Sequence, residues 1–347
     1  MHRLRSDLAH PRRVVAALVR QRRNTAPDNR AMGEFDLIAR HFSRPVQRAV
    51  LGGGDDCALL APAPGMQLAV SSDLLVEGRH FLSTVPPARL GHKSLAVNLS
   101  DLAACGARPL AFTLSIAMPR VDDAFLAAFA QGLYALADAH AIELVGGDTT
   151  AGPLVINITV IGEVPPGEAL RRTGARAGDT LWVSGRLGDA RLALEVFRGQ
   201  ASLPAEDFET VRAAMEMPAP RVALGLALRG LATSAIDLSD GLLGDLGHVL
   251  KASRVGATVD LASLPHGPVL ARQPLPLRRI CLLEGGDDYE LLFTAPADAA
   301  DAVRRAGVGA GVMVTPIGTV DVAPGLRLRD ADGRTTVADA RGFDHFG

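Results

Sequence analysis

The sequence predicts a two-domain α/β protein with mixed sheets, and three observations lead to that class. A chain of 347 residues has room for two domains of ordinary size. Short apolar runs of strand character alternate with longer stretches of helical period. The breaker Pro165-Pro166-Gly167 then divides the alternation, giving expected domains at 32–165 and 166–347 behind a basic segment, 1–31.

In the first half, Phe35, Leu37, Ile38 and Phe42 space a short helix from Glu34. Strand-like runs follow at Cys57–Leu60, Gln67–Ser71 and Ala111–Ala117, with a helical stretch, Leu90–Cys105, between the last two. Asp122–His140 is the clearest helix: Phe125, Leu126, Phe129, Leu133 and Leu136 form one stripe, and Asp122 and Asp123 suit the positive end of the helix dipole. Leu154–Val164 alternates as a strand does. In the second half strands are expected at Thr180–Ser184, Ser234–Asp237, Ala257–Leu261, Tyr289–Thr294 and Val312–Gly318. The helices expected between and after them are Gly188–Phe197, Glu206–Met217, Arg221–Arg229, Leu242–Ala252 and Ala297–Ala306.

Composition excludes several classes. A net charge of −2 and 4% aromatic residues argue against a nucleic-acid surface or a base-stacking platform. No apolar run approaches the length of a membrane span. Cys57, Cys105 and Cys281 are odd in number and widely spaced, which fits free thiols in a reducing cytoplasm. Residues 1–31 carry Arg3, Arg5, Arg12, Arg13, Arg20, Arg22, Arg23 and Arg30 against Asp7 and Asp28. Their apolar stretch Val14–Val19 is too short for a signal-peptide core, so the segment reads as a disordered extension.

Acidic residues recur beside glycines or after apolar runs: Gly53-Gly54-Asp55-Asp56, Ser71-Ser72-Asp73, Asn98-Leu99-Ser100-Asp101, Gly146-Gly147-Asp148-Thr149, Asp237-Leu238-Ser239-Asp240-Gly241 and Gly285-Gly286-Asp287-Asp288. Asp and Gly are also ordinary turn residues, and one cluster alone means little. Six of them suggest carboxylates on tight turns at strand ends, converging on one point where only a cation relieves their repulsion. Mg²⁺ held by one or two carboxylates plus substrate phosphates is the matching arrangement. There is no GxxxxGK[ST] and no GxGxxG opening a helix, so phosphates here depend on metal and scattered amides.

Nine strings in order resemble the thiamine-monophosphate kinase family: Gly33-Glu34-Phe35, Gly54-Asp55-Asp56-Cys57-Ala58, the runs 72–81 and 93–104, Gly146–Thr150, Arg172-Thr173-Gly174, Ile236–Leu242, Gly285–Leu291 and Gly342–Phe346. That family is similar in fold to aminoimidazole-ribonucleotide synthetase. The resemblance implies an N-terminal ATP- and Mg²⁺-binding domain that dimerises through its sheet, giving a homodimer, and a C-terminal α/β domain. It implies transfer of phosphate from ATP to thiamine monophosphate. Carried over by position, the implied metal ligands are Asp56, Ser71, Ser72, Asp73, Asp101, Asp148, Asp237 and Asp240. Gly147, Asp148, Arg172 and Ser239 are implied ATP contacts, and His80, Asp287 and Phe343 implied contacts of thiamine monophosphate. Two positions depart from the family pattern: Asp287 stands where Glu is usual, and Phe343 where Tyr or Trp is common.

The acceptor oxygen belongs to a phosphate that is largely dianionic at neutral pH, so neutralisation matters more than a strong base. No nucleophile–base pair stands out, which favours direct in-line transfer. Alternatives are another ATP-dependent enzyme of the same superfamily, or a non-catalytic divalent-ion-binding protein. Selenophosphate synthetase would need a reactive Cys with a Lys before the first Asp cluster, and neither is there.

Overall fold

The computed structural model describes residues 33–339, so the basic segment 1–31 and Phe343 lie outside the described residues. The first unit runs α1 (Glu34–Leu37, continued by a π turn at Ile38–Phe42), β1 (Gln67–Val76), α2 (Pro87–Ala104), β2 (Arg108–Met118), α3 (Asp123–Ala139), β3 (Glu143–Ala151) and β4 (Val155–Val164). Its sheet has the order β1-β4-β2-β3, antiparallel except for the β2–β3 pair. Strand alternation sorts β2 by face: Phe112, Leu114 and Ile116 are buried against the helices, while Thr113 and Ser115 are half-buried on the other side. Val46, Ala49, Ala58 and Leu60 pack on Leu110, Ala111 and Val145 over part of the opposite face, which stays open along β1, where Leu68, Val70 and Leu74 are exposed.

Helices α2 and α3 cover the inner face. They approach closely because Gly91 and Gly132 face the partner backbone; a Cβ at these positions would lie 2.0 Å from the Phe129 oxygen and 1.8 Å from the Ala88 oxygen. Pro87 opens α2 at a position where a missing N–H costs nothing. At the start of α3 the Asp122 side chain accepts a hydrogen bond from the Phe125 amide, 3.0 Å away.

The second unit runs β5 (Thr180–Ser184), α4 (Asp189–Phe197), α5 (Ala205–Glu216), α6 (Val222–Ala227), β6 (Ser234–Asp237), α7 (Leu242–Ser253), β7 (Gly256–Asp260), α8 (Pro268–Ala271), α9 (Leu275–Glu284), β8 (Leu291–Ala295), α10 (Ala300–Gly309), β9 (Val314–Asp321), β10 (Gly325–Arg329) and β11 (Thr335–Ala338). Its seven strands take the order β11-β10-β7-β9-β5-β8-β6. Leu181, Val183, Leu246 and Ile317 centre one core, whereas Trp182 and Phe293, on the other face of the sheet, join the core of the first unit with Leu224 and Leu228. Among the described residues no helix is long and apolar enough to cross a membrane.

Several sequence expectations are corrected. Cys57–Leu60 is not a strand; only Leu59 makes an isolated bridge, to Leu51. Ser71-Ser72-Asp73 lies inside β1, Asn98–Asp101 inside α2 and Gly146–Thr149 inside β3, so three of the six clusters sit within regular elements and not on turns. The two in β1 and β3 are held there by strand pairing, which overrides the turn preference of Asp and Gly. The strand expected from Tyr289 begins at Leu291, because Asp287 and Tyr289 adopt positive φ, 68° and 49°. Helix α9 and strands β3, β10 and β11 were not among the expected elements.

Candidate active site

A cleft of about 800 Å³ between the two units is lined by β1, the 78–84 loop, α2, α4, the turn after β6 and the loop before β8. Strand alternation turns Ser71 and Asp73 toward α2, where the Ser71 hydroxyl donates to Asp101 at 2.5 Å. Asn98 accepts from the Asp73 amide at 3.1 Å and donates to the Ser94 oxygen one turn earlier, fixing β1 against α2. From the same helix the Ser100 hydroxyl donates to the buried Asp237 carboxylate at 2.7 Å.

The turn after β6 and the loop before β8 are stitched into one body. The Asp287 amide donates to the Ser239 oxygen at 2.9 Å, and the Tyr289 and Leu238 amides donate to Leu238 and Glu290 oxygens at 2.8 Å each. Glu290 is anchored by Arg221 and by the Ser184 hydroxyl at 2.5 Å. Asp245 of α7 accepts the Asp240 and Gly241 amides, both at 3.1 Å. The loop conformation is strained, and this lattice holds it in place.

Electrostatics in the cleft follow from this crowding. Burial, then the charges of Asp101 and Asp240, push Asp73 up to about 6. Burial also raises Asp101, opposed by the Ser71 hydrogen bond and by Arg172. Asp237 is raised by burial and next by Asp101, and Asp245 is pushed to about 7, chiefly by burial. Carboxylates that raise one another are a site short of positive charge.

The cleft gathers Asp73, Asp101, Asp237, Ser239, Asp240 and Asp287, with His80 at its wall. The His80 Nδ1 accepts the Val76 amide at 3.0 Å. Arg172 acts on Asp101 and Asp245 through its charge without lining the cleft. Ser72 points to the open face of the sheet, 2.9 Å from the Thr159 hydroxyl. Asp56 is exposed in a bend, its amide on Asp55. Gly147 and Asp148 are exposed on β3, and the strand order places that edge opposite β1. Two strands intervene, so the edges lie roughly 14 Å apart at ~4.8 Å per strand. Gly147 is required on β3: its φ is 148°, and a Cβ would lie 1.7 Å from the Leu114 oxygen. Sequence reasoning missed Lys93, Asn98, Ser100 and Tyr289 as site-forming residues. The helical spacing of Lys93, Val97, Ser100 and Asp101 on one face of α2 was the signal for Lys93 and Ser100.

The donor set fits Mg²⁺ by its chemistry, hard carboxylate and hydroxyl oxygens in a cleft that lacks balancing charge. Among the described residues no group of three or more His, Cys, Asp or Glu forms a ready-made metal cage. A cation that takes one or two carboxylates and fills its remaining positions with phosphate and water needs no such cage.

Comparison with known proteins decides the family. Residues 54–164 match the N-terminal domain of AIR synthase related protein, and residues 176–331 match its C-terminal domain. Thiamine-monophosphate kinase of Escherichia coli (strain K12) is 45% identical over 323 residues, covering 91% of this chain and 99% of the relative. The chain belongs to the thiamine-monophosphate kinase family. The crystal structure of thiamine-monophosphate kinase from Stenotrophomonas maltophilia K279a superposes with a TM-score of 0.78 at 44% identity, covering 86% of this chain and 95% of that one. AaThiL complexed with AMPPCP and TMP superposes with a TM-score of 0.70 at 27% identity, covering 82% of this chain and 89% of that one. The two AIR synthase related domains are present in this chain in order, N-terminal then C-terminal.

Proposed function

We propose that the cleft brings ATP and thiamine monophosphate together and passes the γ-phosphoryl group directly to the acceptor phosphate, giving ADP and thiamine diphosphate. The observation that carries this reading is the convergence of Asp73, Asp101, Asp237 and Asp240 beside Asp287 in one cleft. The AaThiL complex with AMPPCP and TMP supports two substrates held at once. Mg²⁺, when bound, would supply neutralisation of two polyanions.

In this reading Asp73, Asp101, Asp237 and Asp240, aided by Ser71, hold the metal, with Asp56, Ser72 and Asp148 as further ligands. Ser239, Arg172, Gly147 and Asp148 contact ATP, and His80, Asp287 and Phe343 contact the acceptor. Ser71, Asn98 and Ser100 fix the carboxylates before substrate arrives, so little reorganisation is left for the transition state. The acceptor is a phosphate monoester and already nucleophilic, so no side chain needs to remove a proton.

The protein acts as a cytoplasmic homodimer in this account. Leu68, Val70 and Leu74 are 48%, 63% and 52% exposed on one sheet face, a patch that suits burial against a second copy. A homodimer also accounts for Gly147 and Asp148, which stand at the edge remote from Asp73.

Incubation of the full chain with ATP, Mg²⁺ and thiamine monophosphate should yield thiamine diphosphate, while free thiamine should leave ATP unconsumed. Rapid conversion of free thiamine to its monophosphate would contradict the proposal.

A further inference from the structure

Lys93 is buried in α2, with its side chain 3% exposed, and its Nζ lies 2.8 Å from Oδ2 of Asp287, whose side chain is 32% exposed at the cleft. The pair joins the first unit to the loop before β8. Lys93 and Lys251 are the two lysines of a chain that otherwise uses arginine, and the Lys93 ammonium is a compact point charge. The Tyr289 hydroxyl bonds the same carboxylate. Asp287 itself has a φ of 68°, a backbone conformation that L side chains rarely adopt and that the surrounding structure must hold.

We infer that Lys93 is a positioning residue for the acceptor: with Tyr289 it holds the Asp287 carboxylate at one orientation in the cleft and cancels its charge. The inference rests on the reading that Asp287 faces thiamine monophosphate. It adds the manner of recognition. A carboxylate already paired with a buried ammonium offers a directed hydrogen-bond acceptor, not a counter-ion for the cationic thiazolium ring. Lys93 is covered by Asp287 and does not line the cleft, so it acts through that residue.

The two roles differ in sign. If Asp287 were a counter-ion, removing Lys93 would leave it a bare negative charge and strengthen binding of a cationic acceptor. If Lys93 positions it, removal loosens the carboxylate and weakens binding. Steady-state kinetics on Lys93→Met should therefore show KM for thiamine monophosphate raised about tenfold, with KM for ATP within about twofold of the parent, as for loss of one charge-assisted hydrogen bond. Tyr289→Phe should move KM the same way by less. Asp287→Asn tests the underlying reading separately, since an unchanged KM for the acceptor would refute that reading. A raised KM in Asp287→Asn beside an unchanged or lowered KM in Lys93→Met would overturn the inference alone. The double variant Lys93→Met with Asp287→Asn leaves no unpaired buried charge, so it tests the idea even where Lys93→Met folds poorly. Its KM should match that of Asp287→Asn, the non-additivity expected of a residue acting through its neighbour. Additive losses, or equal effects on both substrates, would make Lys93 merely structural and overturn the proposal.

Discussion

Asp73 and Asp245 show how the fold stores unfavourable charge at single residues. Burial comes first and neighbouring carboxylates second in moving Asp73 from 3.8 to about 6, and Asp245 reaches about 7. Their folded pKa values exceed the unfolded ones, so between about pH 4 and 7 the folded chain binds more protons than the unfolded chain. Stability of the cation-free protein is therefore expected to fall as pH rises through that window, and Asp237, raised to about 8, extends the fall beyond it. Relief of that repulsion in Asp73→Asn should raise the melting temperature near pH 8 without divalent ions by about 2–4 °C for each kcal/mol recovered. The same substitution should lower turnover by ~10²–10³, as for loss of one preorganised electrostatic group. Thermal scans near pH 5 and pH 8 with an activity assay read all three quantities. An Asp73→Asn protein that melts lower than its parent near pH 8 would mean the carboxylate is not strained.

Among the elements, α2 and β1 do most to place the site. One face of α2 packs on α3 through Gly91, and another presents Lys93, Ser100 and Asp101 to the second unit. β1 divides its residues likewise, Ser71 and Asp73 inward, Val70 and Leu74 outward. Val70→Glu should leave the inward face intact while placing a charge on the open one. Sedimentation is expected to show a monomer, and a protein that still sediments as a dimer would exclude this face as the interface. The long helices were legible because their stripes are regular, as with Phe125, Phe129 and Leu133. β3 was hidden because Gly146-Gly147 imitates a turn, although Gly147 is there to let β3 pass the Leu114 carbonyl. α9 was hidden by Pro274 and Pro276 at its start, and β10 and β11 by short runs crowded with charge. Asp73, Asp101, Asp237, Asp240 and Asp287 were legible as residue types in motifs. Their convergence was not, because it depends on α2 packing against elements of both units.

For the whole molecule, the opposite edges of the first sheet set the expectation. Asp73 and Asp148 stand on β1 and β3, too far apart within one chain to share a ligand directly. If a second copy completes each site, inactive Asp73→Asn and inactive Asp148→Asn chains should complement one another after dissociation and remixing. Random reassociation makes half the dimers mixed, each with one intact site, so about a quarter of the parental activity should return. Mixtures as inactive as their components would place both aspartates in the same chain's site. The central claim is that phosphate moves from ATP to the acceptor without stopping on the protein, its transfer assisted by fixed carboxylates and metal. Rapid quench with γ-labelled ATP and Mg²⁺ tests this most directly. With thiamine monophosphate present, label should appear in thiamine diphosphate from the first turnover, and without it the chain should stay unlabelled. Stoichiometric, hydroxylamine-sensitive label on the protein would contradict direct transfer and make one of these aspartates a nucleophile.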